Sequence, residues 1–193
     1  MEPTDFLLNK LIDLTSGLDK VLLGEFAKAM PLKKHCKGEV IAPAGRVANE
    51  VFFVEKGCVR MLYYLECREV TASFYFEGSF TGPCISMMFR TENQQVFEAF
   101  EDCQIRTLSF ENYTALLQQQ PEFYRLRSTI AERIMADQEL IIRFFLGLTP
   151  KQRYQYLMEN QPELFLRVPQ HHVASMIGVT AVSLSRIRKR ISY

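Results

Sequence analysis

The sequence of 193 residues lacks the features of several protein classes. No apolar run approaches the roughly 20 residues that a membrane-spanning helix needs, so no transmembrane segment is predicted. The N-terminal residues include Asp5 and have no basic stretch leading into an apolar core, which does not match a secretory signal. We therefore expect a cytoplasmic protein. Net charge is also nearly absent, at +1, so a cationic surface requires an uneven distribution of charge along the chain.

Paired cysteines and clustered metal ligands are missing as well. The cysteines are Cys36, Cys58, Cys67, Cys84 and Cys103, and the histidines are His35, His171 and His172. No CxxC pair occurs and no usual metal spacing is present, which predicts reduced thiols, no disulfide framework and no metal site. The sequence has no Ser/His/Asp or Cys/His grouping and no Gly-rich phosphate loop. We therefore predict no catalytic residues and no enzymatic activity.

Acidic residues are absent from residues 164–193, where basic residues are concentrated. The basic residues there are Arg167, Arg186, Arg188, Lys189 and Arg190. Binding to phosphates depends on local cationic charge and not on the average over the chain, so this segment is the predicted nucleic-acid contact. A solvated basic helix that merely closes a small domain is the alternative.

The same segment has the signals of two short helices joined by a tight turn. Pro169 suits a helix start, Gly178 stands where a left-handed residue ends a helix, and Thr180 is placed to cap the next one. This order predicts a helix-turn-helix whose second helix enters the DNA major groove. The predicted DNA-binding residues are Gln170, Thr180, Ala181, Val182, Ser183, Ser185, Arg186, Arg188, Lys189 and Arg190. Within this set, Arg186 is the predicted base contact, and the last three are predicted phosphate contacts.

Short alternating runs fill the region from Leu32 to Leu108 and predict an antiparallel sandwich or barrel. The predicted strands are Glu39–Ile41, Val51–Glu55, Val59–Leu65, Val70–Phe76, Val96–Phe100 and Gln104–Ser109. Two short helices are predicted before this region, the second ending before Pro31. The fold class expected from these elements is α+β.

A long helix is predicted from Pro121 to about Leu146. At 1.5 Å per residue it would reach nearly 40 Å, which is longer than a small domain needs for its own core. Its apolar stripe is therefore a predicted dimer seam. The stripe consists of Phe123, Leu126, Ile130, Ile134, Ile141 and Phe145, and the first five are the predicted dimer residues. Packing of the stripe along the chain's own barrel is the alternative. Gly147, Thr149 and Pro150 predict a hinge after this helix. The predicted domains are residues 1–120, which contain the sheet region and the N-terminal helices, residues 121–146, which form the long helix, and residues 147–193, which contain the helix-turn-helix.

This order of elements resembles the Crp/Fnr family of transcription regulators over essentially the whole chain. The similar segments are VFFVEKGCVR (Val51–Arg60), YFEGSF (Tyr75–Phe80), LTPKQRYQYLMENQP (Leu148–Pro162) and LSRIR (Leu184–Arg188). The resemblance implies an N-terminal β-roll, a long dimerisation helix and a C-terminal winged-helix-like helix-turn-helix. It also implies a homodimer that binds double-stranded DNA, with RNA polymerase as a further partner left open. In the family, an effector in the roll shifts the long helices and re-aims the two DNA-reading heads.

The predicted effector cassette departs from the family pattern. Cyclic-nucleotide-binding members have a Gly-Glu pair and a later arginine, which here correspond to Gly78-Ser79 and to Asn93. A buried phosphate needs the two parallel donors of an arginine, so we expect weak or no cyclic AMP binding. The pocket is left with an unknown small molecule or with none, and its predicted residues are Phe76, Gly78, Ser79, Phe80, Asn93, Gln94 and Gln95. Residues 1–35 contain no cysteine, which argues against an iron–sulfur sensor.

The reading helix departs from the pattern too. Family activators often have Arg and Glu at the two positions that are Ala181 and Val182 here, while the later arginine is kept as Arg186. The sequence therefore predicts an operator different from that of those activators. An alternative function is a small-molecule sensing module whose DNA-binding head is degenerate.

Overall fold

The computed structural model describes residues 3–15, 18–66 and 68–191, with all side chains in these ranges except those of residues 3–5, 133, 134, 137 and 138. Cys67 therefore lies outside the described residues. The chain divides into two compact units. The first comprises the described parts of residues 1–61 and 74–132, and the second those of residues 62–73 and 133–193.

Two four-stranded sheets form the β-roll. The strands are β1 (Leu32–His35), β2 (Val40–Ala42), β3 (Glu50–Lys56), β4 (Val59–Leu65), β5 (Arg68–Tyr75), β6 (Phe80–Thr81), β7 (Val96–Ala99) and β8 (Cys103–Ser109). The sheet orders are β1-β8-β3-β6 and β2-β7-β4-β5. The pairs β1–β8, β3–β8, β3–β6 and β2–β7 are antiparallel, which confirms the predicted antiparallel architecture. The sequence pattern missed β1 and β6. The β1 sequence LKKH has a single apolar residue followed by two lysines, and β6 has only two residues, so neither shows the pattern of a strand.

Helices account for the remaining elements. They are α1 (Pro3–Leu14), α2 (Lys20–Lys28), α3 (Cys84–Phe89), α4 (Phe110–Gln119), α5 (Glu122–Gly147), α6 (Pro150–Asn160), α7 (Pro162–Arg167), α8 (Gln170–Met176) and α9 (Ala181–Ile191). The helices α3 and α7, which have six residues each, were not predicted from the sequence. Among the described residues, no helix is both long and apolar enough to cross a membrane.

Adjacent phenylalanines of β3 fill two different cores of the first unit. Successive side chains of a strand point to opposite faces of its sheet. Phe52 packs edge-on against Phe97 of the other sheet, with ring centroids 5.9 Å apart. Phe53 lies in a cluster with Leu7 and Leu11 of α1 and with residues of α2, α4 and α5. The N-terminal helices therefore cover one face of the sheet that contains β3.

The second unit contains the predicted helix-turn-helix. Thr149 caps α6 in a capping box with Gln152, which accounts for the break between α5 and α6. Buried side chains of this unit include Leu157, Leu164, Val173 and Leu184, one from each of the helices α6 to α9. Within residues 147–191 the structure describes helices and turns and no strand, so the head is a helix-turn-helix without wing strands in that range.

Candidate nucleic-acid interface and effector pocket

A left-handed glycine closes the turn between α8 and α9. Gly178 has a φ of 76°, and its N–H donates to the Ser175 carbonyl at 3.0 Å. Only glycine adopts this conformation without steric strain, which explains the residue type at this position. The Thr180 hydroxyl accepts from the Ser183 N–H at 3.2 Å and begins α9. Both local predictions for this turn are therefore confirmed.

One side of α9 faces solvent, and we call it the reading face. It consists of Val182, Ser185, Arg186 and Lys189, which are all exposed. Their i, i+3, i+4, i+7 spacing puts them on a single side of the helix. Leu184 lies on the opposite side with 1% of its surface exposed. Val182 is 62% exposed. The reading face therefore has an apolar side chain in the first turn of α9 and two cationic side chains, Arg186 and Lys189, in the following turns. Ala181 and Arg190 are also exposed.

Arg188 and Gln170 lie elsewhere. Arg188 is exposed as well, but it follows the buried Leu184 by four residues and so lies on the flank of α9 next to that side chain. It lines a cleft of about 280 Å³ together with Gln170, Tyr154 and Phe165. The predicted DNA-binding residues therefore divide into the reading face with its exposed neighbours and this cleft.

Arg153 of α6 has a role that the sequence did not reveal. The guanidinium donates from Nη1 to the Ile177 carbonyl at 3.0 Å and from Nη2 to the Phe145 carbonyl at 2.6 Å. Its Nε donates to the carbonyls of Phe144 and Leu148 at 3.1 and 3.0 Å. One side chain thus bonds the C-terminal ends of α5 and α8. Periodicity gives no sign of such a contact, because the two ends are distant in sequence.

The first half of α5 belongs to the first unit and packs against the core of that unit. Phe123 and Leu126 are 2% and 1% exposed and belong to the cluster with α1 and α2. Ile130 is partly buried against the same cluster. The prediction that Phe123 and Leu126 form a dimer seam is therefore wrong, because they fill an intramolecular core. The side chain of Ile134 lies outside the described residues, and Ile141 is half-buried.

A second set of apolar residues on α5, which shares only Phe145 with the predicted stripe, is exposed. Tyr124, Met135, Ile142 and Phe145 are all exposed. Their intervals of 11, 7 and 3 residues are sums of alternating three- and four-residue steps, which is the spacing of a heptad seam. Leu140 and Leu146 of the same helix are also exposed but are not part of this register. The helix therefore carries one apolar stripe that is covered in the first unit and a second one that is open.

Asn93 makes hydrogen bonds within its own loops. It is 3% exposed, and its side-chain amide donates to the carbonyls of Pro43 and Gln95 at 3.0 and 2.6 Å. Its Oδ1 accepts from the Gln95 N–H at 3.0 Å. These bonds join residues 43–46 to residues 93–95, and Gln94 between them is exposed. The side chain at the predicted phosphate-binding position is therefore occupied by backbone contacts.

The Gly78–Ser79 turn has other neighbours. The Gly78 N–H donates to the Val54 carbonyl at 2.8 Å, and the Ser79 carbonyl accepts from the Val54 N–H at 3.0 Å. A Cβ added to Gly78 would come 2.7 Å from Lys10 Cε of α1, so the glycine permits this close approach. The Phe80 ring packs at a tilt of 51° against Phe53, with centroids 4.8 Å apart. The contacts of this turn are thus with β3 and α1, whereas those of Asn93 are with the loop at Pro43.

Comparison with known proteins identifies the fold. Neither a family model nor a curated protein sequence matches the chain. Solved structures do: the c-di-GMP-responsive regulator CLP of Xanthomonas campestris aligns with a TM-score of 0.67 and 16% identity, over 90% of this chain and 92% of that one. A CooA mutant of Carboxydothermus hydrogenoformans aligns with a TM-score of 0.66 and 18% identity, over 97% of this chain and 85% of that one. The catabolite activator protein of Thermus thermophilus aligns with a TM-score of 0.57 and 21% identity, over 95% of this chain and 86% of that one.

The chain has the Crp/Fnr fold. Its β-roll, long helix and helix-turn-helix follow one another in the order predicted from the sequence. The similar structures cover both the roll and the head, because each spans 90% or more of this chain.

The cassette of this Crp/Fnr fold has a second Gly-x pair that the sequence analysis did not consider. Gly82, with a φ of 128°, and Pro83 directly precede the short helix α3. Neither Gly78-Ser79 nor Gly82-Pro83 provides a glutamate. Arg90, which ends α3, donates to the Ala48 carbonyl and to Asn49 Oδ1 at 3.2 and 2.9 Å. The arginine near the cassette is therefore hydrogen-bonded to the preceding loop.

Two buried arginines of the roll are paired with carboxylates. Arg60 Nη1 lies 2.9 Å from Glu98 Oε1, and Arg106 Nε lies 2.9 Å from Glu55 Oε2. Burial raises the pKa of the Glu55 carboxyl above its ordinary value, and the contact with Arg106 opposes that change. Arg106 also donates to the Met30 carbonyl at 3.0 Å. These pairs connect parts of the fold and do not form an open anion site.

Proposed function

We propose that this protein is a homodimeric, DNA-binding transcription regulator that reads the major groove with α9. The observation that carries the proposal is the reading face, which is exposed and belongs to a segment without any acidic residue from 164 to 193. A helix in the major groove needs such a face for base edges and cationic neighbours for phosphates. Arg186 is proposed to contact guanine, and Val182 a thymine methyl group.

Arg186 provides the direct test. A duplex is first selected from a random pool by the native protein, and binding is then measured at about 50 and 200 mM salt, because phosphate contacts make affinity salt-dependent. Arg186→Ala is expected to weaken binding to the selected duplex by about 1–3 kcal/mol and to relax selectivity at one base pair per half-site. Its affinity for random duplex should change less.

Arg190→Ala is the matched control, since Arg190 is on the same helix and is a proposed phosphate contact. It should weaken binding to both duplexes about equally. Equal losses for Arg186→Ala would assign Arg186 to phosphate as well. If the native protein shows no salt-dependent affinity for any duplex, the regulator proposal fails. The alternative of a sensing module with a degenerate head, which the apolar Ala181 and Val182 permit, would then be favoured.

The proposed dimer uses the open stripe of α5 and not the buried one. Tyr124, Met135, Ile142 and Phe145 would face their counterparts in a second copy, and the heptad spacing supports this register. Ile142→Glu places a charge in that seam and is expected to produce monomers in sedimentation experiments. Arg143→Glu is the control at the adjacent exposed position and should leave the oligomeric state unchanged. A monomeric native protein would contradict the dimer.

A further inference from the structure

Arg153 holds the ends of two helices with one planar group. The last carbonyls of an α-helix have no partner inside the helix, and the partial negative charge at that end favours a cation. Here the carbonyls of Phe144, Phe145 and Leu148 at the end of α5 bond Arg153, as does the carbonyl of Ile177 that ends α8. A guanidinium presents its donors in a fixed plane, so bonding to one guanidinium fixes the positions of these four carbonyls relative to each other.

The contacts of Arg153 extend to the turn that sets the direction of α9. Ile177 immediately precedes Gly178, and a Cβ at Gly178 would lie 3.4 Å from Arg153 Nη1. The guanidinium also stands 5.0 Å from the centre of the Phe145 ring and 5.9 Å from that of Phe144. Phe145 is one of the four residues of the open stripe on α5. The side chain thus touches the stripe, the hinge and the turn before the reading helix.

We propose that Arg153 is a positioning residue that couples the last turn of α5 to the reading helix. The proposal rests on the DNA-binding function proposed above. When the last turn of α5 unwinds, its carbonyls leave the guanidinium, and the Ile177 carbonyl loses its fixed partner. Conversely, DNA that holds α9 stabilises the last turn of α5, because coupling between two sites is reciprocal.

Amide hydrogen exchange of the native protein, with and without the selected duplex, tests the coupling. DNA is expected to slow exchange at residues 181–191 and also at residues 145–148, which form the last turn of α5 and the start of the hinge. Slower exchange only at residues 181–191 would overturn the coupling and leave the DNA-binding function intact. No change at either segment would instead reject the DNA-binding function, and the coupling with it.

Substitution at Arg153 separates coupling from direct protection by DNA. Arg153→Gln is expected to lower affinity for the selected duplex by about tenfold, within the roughly 5–150-fold range of coupling between two sites, and to abolish the DNA-dependent protection of residues 145–148. Lys151→Gln removes the same charge from an exposed position of the same helix and should change affinity less than threefold, as roughly expected for one rim charge. Protection of residues 145–148 that persists in Arg153→Gln would contradict the proposal.

Arg153→Lys keeps the charge without the planar fork. It is expected to lose the protection of residues 145–148 while retaining more affinity than Arg153→Gln. If Arg153→Lys behaves as the native protein does, the charge alone is sufficient and the bridging role is wrong. This variant also provides the test if Arg153→Gln does not fold.

Discussion

Two segments of this chain that are expected to meet ligands differ in how they use their polar side chains. On α9, the reading face leaves Ser185, Arg186 and Lys189 exposed to solvent. In the cassette, Asn93 and Arg90 donate to carbonyl and amide oxygens of neighbouring loops. A polar group can bind a partner only if the fold has not already satisfied it. The comparison therefore favours DNA as a partner more strongly than a phosphate-containing effector.

The largest expected effect is a disruption of the head. Leu184→Ala removes the buried side of α9 and should lower the free energy of unfolding by about 2–5 kcal/mol, because a cavity replaces packed atoms. DNA affinity should fall with it. Val182→Ala, on the exposed side, should change stability by less than about 0.5 kcal/mol. Denaturant titration of both variants checks the comparison, and equal effects would mean that the two faces of α9 are assigned wrongly.

The second prediction concerns the cassette. Asn93→Ala leaves the Pro43 and Gln95 carbonyls without their donor and should lower the free energy of unfolding by about 1–3 kcal/mol. Gln94→Ala at the exposed neighbouring position is the control and should change it little. If Asn93→Ala leaves stability unchanged, the hydrogen bonds of Asn93 are not structural, and a binding role for the side chain returns.

The smallest expected effect is that of cyclic AMP. Calorimetric titration is expected to show weak binding or none, because neither Gly-x pair supplies a glutamate and Arg90 is bonded within its own loops. A buried phosphate without an arginine fork lacks its strongest partner. Micromolar affinity for cyclic AMP would contradict this prediction. It would also mean that the polar side chains of the cassette are as available to a ligand as those of the reading face.

The order of elements was predictable because it depends on local signals. Gly178, Thr180 and Pro150 specify the turns and caps of the head through backbone geometry, and these residues lie where the structure requires them. Short apolar runs bounded by turn residues, as in the β3 and β4 segments, likewise indicated the roll. Elements too short to show a period, such as α7, gave no such signal.

The two apolar stripes of α5 could not be told apart from the sequence. Periodicity detects an apolar face on a helix but not which surface covers it. Phe123 and Leu126 pack against α1 and α2, while Met135 and Ile142 are exposed, and both pairs fit a helical period. Only the tertiary structure separates the stripe that fills a core from the stripe that is open to a partner.

The sequence by itself determined the fold class, the position of the helix-turn-helix and the concentration of positive charge at its end. These follow from turn chemistry, hydrophobic period and composition, which act over a few residues. The tertiary structure alone decided that Asn93 is satisfied by its own loops and that Arg153 bonds the ends of two helices. Such contacts join residues distant in the chain, and hydrogen bonds of that kind exist only after the chain has folded.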